Sequence, residues 1–154
     1  MDIFDLSWLY EWATGDVTEF TEPYVSDNEK FMQMQDWWFD FEGTYWLFVL
    51  FFIALGFMGT VLYYSFLTNT PGKRFFTPIW WACIGLASMA LTFAFTFVYE
   101  YVFLNDVIAS VWWIEFKLAF VNAVYAGMVY LVLSFIWCNW MPTNAYRCLS
   151  LINK

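Results

Sequence analysis

Glu115 and Lys117 stand two positions apart inside an otherwise apolar run. They are the closest approach to an acid–base pair that this chain offers. On a helix, positions two apart point in different directions, so the two groups cannot simply neutralise each other. Ionisable side chains inside a membrane span are expensive and normally line a cavity or find a partner. At least one of them therefore needs a counter-group: Glu100, a second copy, or another subunit. Lys117 has a further outlet, because its four-carbon stem can carry the ammonium outward to the interface.

A polar line accompanies this pair. Ser88, Thr92, Thr96 and Glu100 follow one another at four-residue intervals, which stacks them on one slowly winding helix face. Asn122 lies further along the helix that carries Glu115. With a hairpin tip at Asn105–Asp106, Thr96 is expected level with Glu115, and Ser88 level with Ala123, next to Asn122. The bland reading is helix–helix glue, since hydroxyls and amides cross-link membrane helices for ~0.6 kcal/mol each. Ser and Thr can also bond their own backbone four residues back, which hides polarity without a partner. Small residues extend the packing theme. Ala119, Ala123 and Gly127 recur at four-residue steps, and Gly56 and Gly59 predict a local groove for a bulky neighbour.

Other chemistry is missing from the sequence. There is no histidine, hence neither the commonest general base nor the commonest metal ligand. Cys83, Cys138 and Cys148 lack zinc-type spacing and are expected to be reduced packing residues. No phosphate loop, nucleophile–base pair or heptad seam is present. The expectation is a protein with no cofactor, no metal and no enzymatic activity.

The elements that must position these residues are membrane helices. Of 154 residues, 62% are hydrophobic, 26% aromatic and 13% charged, against roughly 25% charged in soluble domains. A soluble fold with this surface would aggregate. The fold class is all-α integral membrane protein: three transmembrane helices plus two short amphipathic N-terminal interfacial helices. The spans are placed at about 45–67, 79–104 and 107–140. The first, Tyr45–Leu67, is uncharged and covers roughly 34 Å at the helical rise, enough to cross the hydrocarbon. Thr77 caps the second, with Pro78 at its first position, and Asp106 caps the third.

Three domains follow: residues 1–43, an acidic, aromatic-rich extracytoplasmic segment; residues 44–141, the transmembrane domain; and residues 142–154, a short cytoplasmic tail. In the first, residues 3–13 and a stretch starting at a Ser26–Glu29 capping box read as amphipathic helices suited to an interface. Phe31, Met34, Trp38 and Phe41 form the apolar face of the second. Residues 14–25 read as loop. The opening Met1-Asp2-Ile3-Phe4-Asp5 lacks the basic start of a signal peptide.

Charge is segregated. Residues 1–43 hold eleven acids and one base, Lys30, within a net charge of −8. That tail excludes nucleic acid and electrostatic docking on anionic lipid. Lys73, Arg74, Arg147 and Lys154 fall on one side, so the positive-inside rule puts the N-terminus outside and the C-terminus in the cytoplasm. The expected location is the bacterial inner membrane. The expected role is a non-enzymatic, oligomeric subunit of a larger membrane assembly, such as a secretion, injection or defence machine. Its partners would be lipid, further copies and other membrane-complex subunits. The alternative is an oligomeric cation or proton channel lined by the polar faces of helices two and three, since acidic rings favour cations.

Overall fold

The computed structural model describes residues 7–67, 78–103 and 112–141, and every regular element among them is helical. In order they are α1 (Ser7–Thr14), α2 (Val17–Thr21), a 3₁₀ turn (Glu22–Tyr24), α3 (Asn28–Gly43), α4 (Tyr45–Val61), a π-helix (Leu62–Leu67), α5 (Pro78–Phe103) and α6 (Trp112–Trp140). The expected caps Thr77 and Asp106, the Asn105–Asp106 turn, the bases Lys73, Arg74, Arg147 and Lys154, and the cytoplasmic tail 142–154 lie outside the described residues.

Among the described residues three helices are long and apolar enough to cross a membrane: Asn28–Leu67, Pro78–Val102 and Trp113–Trp140. The second and third overlap the expected 79–104 and 107–140, of which residues 104 and 107–111 lie outside the described residues. The first begins earlier, because only Thr44 separates α3 from α4. Thr44 keeps right-handed helical dihedrals (φ −84°, ψ −14°), and Phe48 N–H bonds its carbonyl at 3.3 Å.

The chain forms two compact units, Met1–Leu50 with Phe93–Asn122, and Phe51–Thr92 with Ala123–Lys154. In the first unit the buried residues of α3 are Met34, Trp37, Trp38 and Phe41. Phe20 of α2 lies over them, its ring 5.3 Å from Trp37 and 5.0 Å from Trp38. Protein therefore covers part of the apolar face that was expected to meet lipid. Each such aromatic pair adds about 0.5–1.5 kcal/mol beyond the area it buries. This docking also explains why the 14–25 stretch is not loop. Phe20 rewards the ordering of a five-residue helix too short to persist alone, and Pro23 sits at the start of the 3₁₀ turn, where its missing N–H costs nothing.

Asp27, not Ser26, caps α3. It adopts an extended backbone (φ −124°, ψ 98°) and its Oδ1 accepts from Lys30 N–H at 3.4 Å. The register is one residue later than the expected box, so the third helical position holds Lys30 rather than Glu29. The reciprocal partner becomes an ion pair, Lys30 Nζ to Asp27 Oδ2 at 3.1 Å.

The second unit packs through its glycines. A Cβ on Gly56 would stand 2.7 Å from Val129 Cγ1 and 3.0 Å from the Ala126 carbonyl. On Gly59 it would stand 2.5 Å from Ser88 Oγ, and on Gly85 2.9 Å from the Tyr130 ring. Trp81 donates to Ser134 Oγ at 3.1 Å, and the Tyr130 hydroxyl donates to the Trp81 carbonyl at 2.9 Å. Beside them Tyr63, Tyr64 and Cys138 form a buried cluster flanked by Trp81, Ile84 and Trp137.

Candidate functional site

Polar side chains are buried along α5 and α6. Ser88, Thr92, Thr96 and Glu100 of α5 are at most 5% exposed, and Glu115 and Asn122 of α6 at most 2%. In the second unit the two upstream members stay with their own helix. Ser88 Oγ donates to the Ile84 carbonyl at 3.1 Å, and Thr92 Oγ1 to the Ser88 carbonyl at 2.9 Å. This is the self-satisfying arrangement open to any helical Ser or Thr.

The first unit holds the rest. Asn122 Nδ2 donates to Thr96 Oγ1 at 3.4 Å, so Thr96 meets Asn122, about two turns along α6 from the expected Glu115. In the second unit, Gly127 lies against Met89, its Cβ position 2.9 Å from the sulfur. That pairing is about one turn away from the expected Ser88–Ala123 level. Equal distances from Asn105–Asp106 therefore do not mark equal depth.

The residue the sequence did not single out is Tyr10. Its hydroxyl donates to Asn122 Oδ1 at 2.7 Å, and its ring lies 4.4 Å from that of Tyr45. The buried amide thus accepts from α1 and donates to α5. Helical spacing over residues 3–13 puts Tyr10 on an apolar face with Leu9 and Ala13, but nothing in the sequence names Asn122 as its partner. Around it on α1, Trp8 and Trp12 are 67% and 70% exposed while Tyr10 is fully buried.

Glu100 and Glu115 have no such partners. Both oxygens of Glu100 and Oε1 of Glu115 are buried without a hydrogen bond. The two carboxyls lie within electrostatic reach of each other. Lys117 is half-buried, and no ion pair among the described residues involves it. The Glu115–Lys117 neighbourhood is therefore not a neutral pair.

The small residues are placed by both units. Ala119 is fully buried in the first, and Ala123 is 7% exposed in the second. At Gly56 the close neighbour is Val129, and at Gly59 it is the small Ser88. Cys83 is exposed and Cys138 buried, the latter 3.1 Å from the Tyr64 hydroxyl. No group of three or more metal-ligating side chains occurs among the described residues. No protein-family model, curated protein or solved structure matches this chain. Function must be argued from the geometry.

Proposed function

We propose that this chain is a non-enzymatic, multi-pass membrane protein that acts as a structural and interaction subunit of a larger membrane assembly, with further copies or other membrane subunits as partners. A secretion, injection or defence machine is the kind of assembly meant. The supporting observation is on α5. Cys83, Ala87, Ala90 and Ala94 recur at alternating four- and three-residue steps, and all four are exposed. Although no heptad of large apolar residues is present, these small ones keep one narrow seam on one side of the helix. Small side chains there let another helix approach to backbone distance, the usual basis of association in lipid. The proposed orientation has the N-terminus outside and the C-terminus cytoplasmic in a bacterial inner membrane, supported by Lys73, Arg74, Arg147 and Lys154.

Cys83 lies in the seam and serves as the probe. Extraction in mild detergent should yield an oligomer or a complex, and a short bis-maleimide should link Cys83 across subunits. Ala87→Leu with Ala90→Leu should abolish both. A lone monomer that neither cross-links nor co-purifies with a partner sinks the reading. Fusion of a reporter to the C-terminus tests the orientation.

A second reading, the cation or proton channel, is supported by the unpartnered carboxyl oxygens of Glu100 and Glu115. Liposomes holding the protein should then conduct, and Glu115→Gln should remove the conductance. No current from a well-folded oligomer would reject it.

A further inference from the structure

Glu100 is fully buried, and neither of its oxygens has a hydrogen-bond partner. Glu115 is 2% exposed, with Oε1 equally unpartnered. Leaving one buried carboxylate uncompensated is already more costly than a folded domain normally tolerates. Two within electrostatic reach of each other compound the cost.

The surroundings offer no relief. Two buried donors of the same unit are engaged elsewhere: the Tyr10 hydroxyl by Asn122 Oδ1, and the Asn122 amide by Thr96. Tyr45 of α4 lies within electrostatic range of Glu100, and also of Glu11 on α1 and Glu42 on α3, both acids. Of the two bases among the described residues, Lys117 on α6 lies two positions from Glu115 and so on a different side of the helix. Lys30, the other described base, is paired with Asp27. The positive charge that these carboxyls need is not supplied by the described chain.

We infer that Glu100 and Glu115 form a binding site for a monovalent cation, taken up from outside the chain to compensate the two buried carboxyls. The cation is a hydron or an alkali-metal ion, which share the role of cancelling carboxylate charge. The site rests on the same carboxyls as the channel reading but not on conduction, since a filled site can exist in a protein that passes no current. Its location in a single chain also makes it independent of assembly.

The test uses the full-length protein in nanodiscs at neutral pH, in sodium, potassium or choline chloride at equal ionic strength. Infrared spectra report whether the carboxyls are acids or carboxylates, and thermal unfolding reports cation binding. A hydron gives an acid carbonyl band that is absent from the Glu100→Gln/Glu115→Gln variant and indifferent to the salt. An alkali ion leaves no acid carbonyl band in the wild-type protein and gives a Tm higher in sodium or potassium than in choline, a difference the double variant loses. Absence of an acid band together with no Tm difference between the salts overturns the inference. So does an acid band that the double variant retains. The decisive salt comparison is made on the wild-type chain, so a variant that fails to fold does not shelter the proposal. Lys117→Met completes it: conversion of carboxylate bands to acid bands in that variant identifies Lys117 as the counter-charge and also overturns the inference.

Discussion

The hydroxyl of Tyr10 and the side-chain oxygen of Asn122 are joined across 112 positions of sequence by a 2.7 Å hydrogen bond. Through it the first helix is tied to the last. Because Asn122 also donates to Thr96, a single amide links α1, α5 and α6 in the first unit.

Tyr10→Phe keeps the ring against Tyr45 and removes only the hydroxyl. It leaves Asn122 Oδ1 buried without its donor, a loss of about 1 kcal/mol. Unfolding in detergent, combined with Asn122→Ala in a double-mutant cycle, should give a coupling energy of at least 0.5 kcal/mol. Additive single effects would show that the bond does not form.

Gly15 is the one positive-φ residue among those described, at +84°. It ends α1, its N–H bonding the Glu11 carbonyl at 2.9 Å, and so sets the direction in which Tyr10 is presented. An alanine there carries the left-handed penalty of roughly 1–2 kcal/mol, and its Cβ would stand 3.0 Å from Glu19 Oε2. Gly15→Ala should lower stability by about that amount and Gly15→Asn by less, since Asn tolerates this conformation. Equal stability of all three proteins would contradict the assigned turn.

Gly56 and Gly59 should respond differently to alanine. At Gly56 the obstacles are a branched side chain at 2.7 Å and a backbone carbonyl at 3.0 Å, neither free to swing away. Overpacking of about 1–3 kcal/mol should outweigh the gain of about 1 kcal/mol in helix propensity. At Gly59 the close atom is Ser88 Oγ, which can rotate at the loss of one weak bond. Gly59→Ala should therefore be near neutral, and Ser88→Ala in that background should not destabilise further. Thermal melts of the four proteins decide this.

Asp27 makes the start of α3 sensitive to acid. The hydrogen bond from the Lys30 side chain, followed by that from the Lys30 backbone N–H, holds its carboxyl below the ordinary value of 3.8. A lowered native value means that the ionised form is favoured by folding. The cap's contribution is complete above 3.8 and is lost as pH falls through the lower native value. Amide exchange of the first turn of α3 should accelerate in that window, and Asp27→Ala should show the fast rate at neutral pH. Protection that does not change across the window would dismiss the cap.

The three long apolar helices were legible because they depend on one-dimensional quantities. An uncharged run from Tyr45, the Pro78 start and the tryptophans near the ends all follow from length and hydropathy. The burial of Ser88, Thr92 and Thr96 was legible too, as four-residue spacing dictates a shared face. Depth matching was not, since Gly127 meets Met89 rather than Ser88 meeting Ala123, and hydropathy carries no information about connection geometry. The N-terminal fold was the least legible. Phe20 against Trp37 and Trp38, and Tyr10 against Asn122, are contacts between segments whose own periodicity does not specify a partner. The misassigned cap was an ambiguity of one residue, resolved by Lys30 rather than Glu29 occupying the third helical position.

The π-helix over Leu62–Leu67 has a consequence for the chain's tolerance of length change. Successive residues of an α-helix point about 100° apart, yet Tyr63 and Tyr64 are both buried, their rings 4.8 Å apart. Bonding from i to i+5 admits an additional residue per turn. Deleting one residue within Leu62–Leu67 would let that turn close as ordinary α-helix while the residues on either side keep their facing. The same deletion in the middle of α5 would swing everything after it by about 100°, turning buried hydroxyls to the outside. This short segment is where the first span can be spliced by one residue without rewriting the faces that follow.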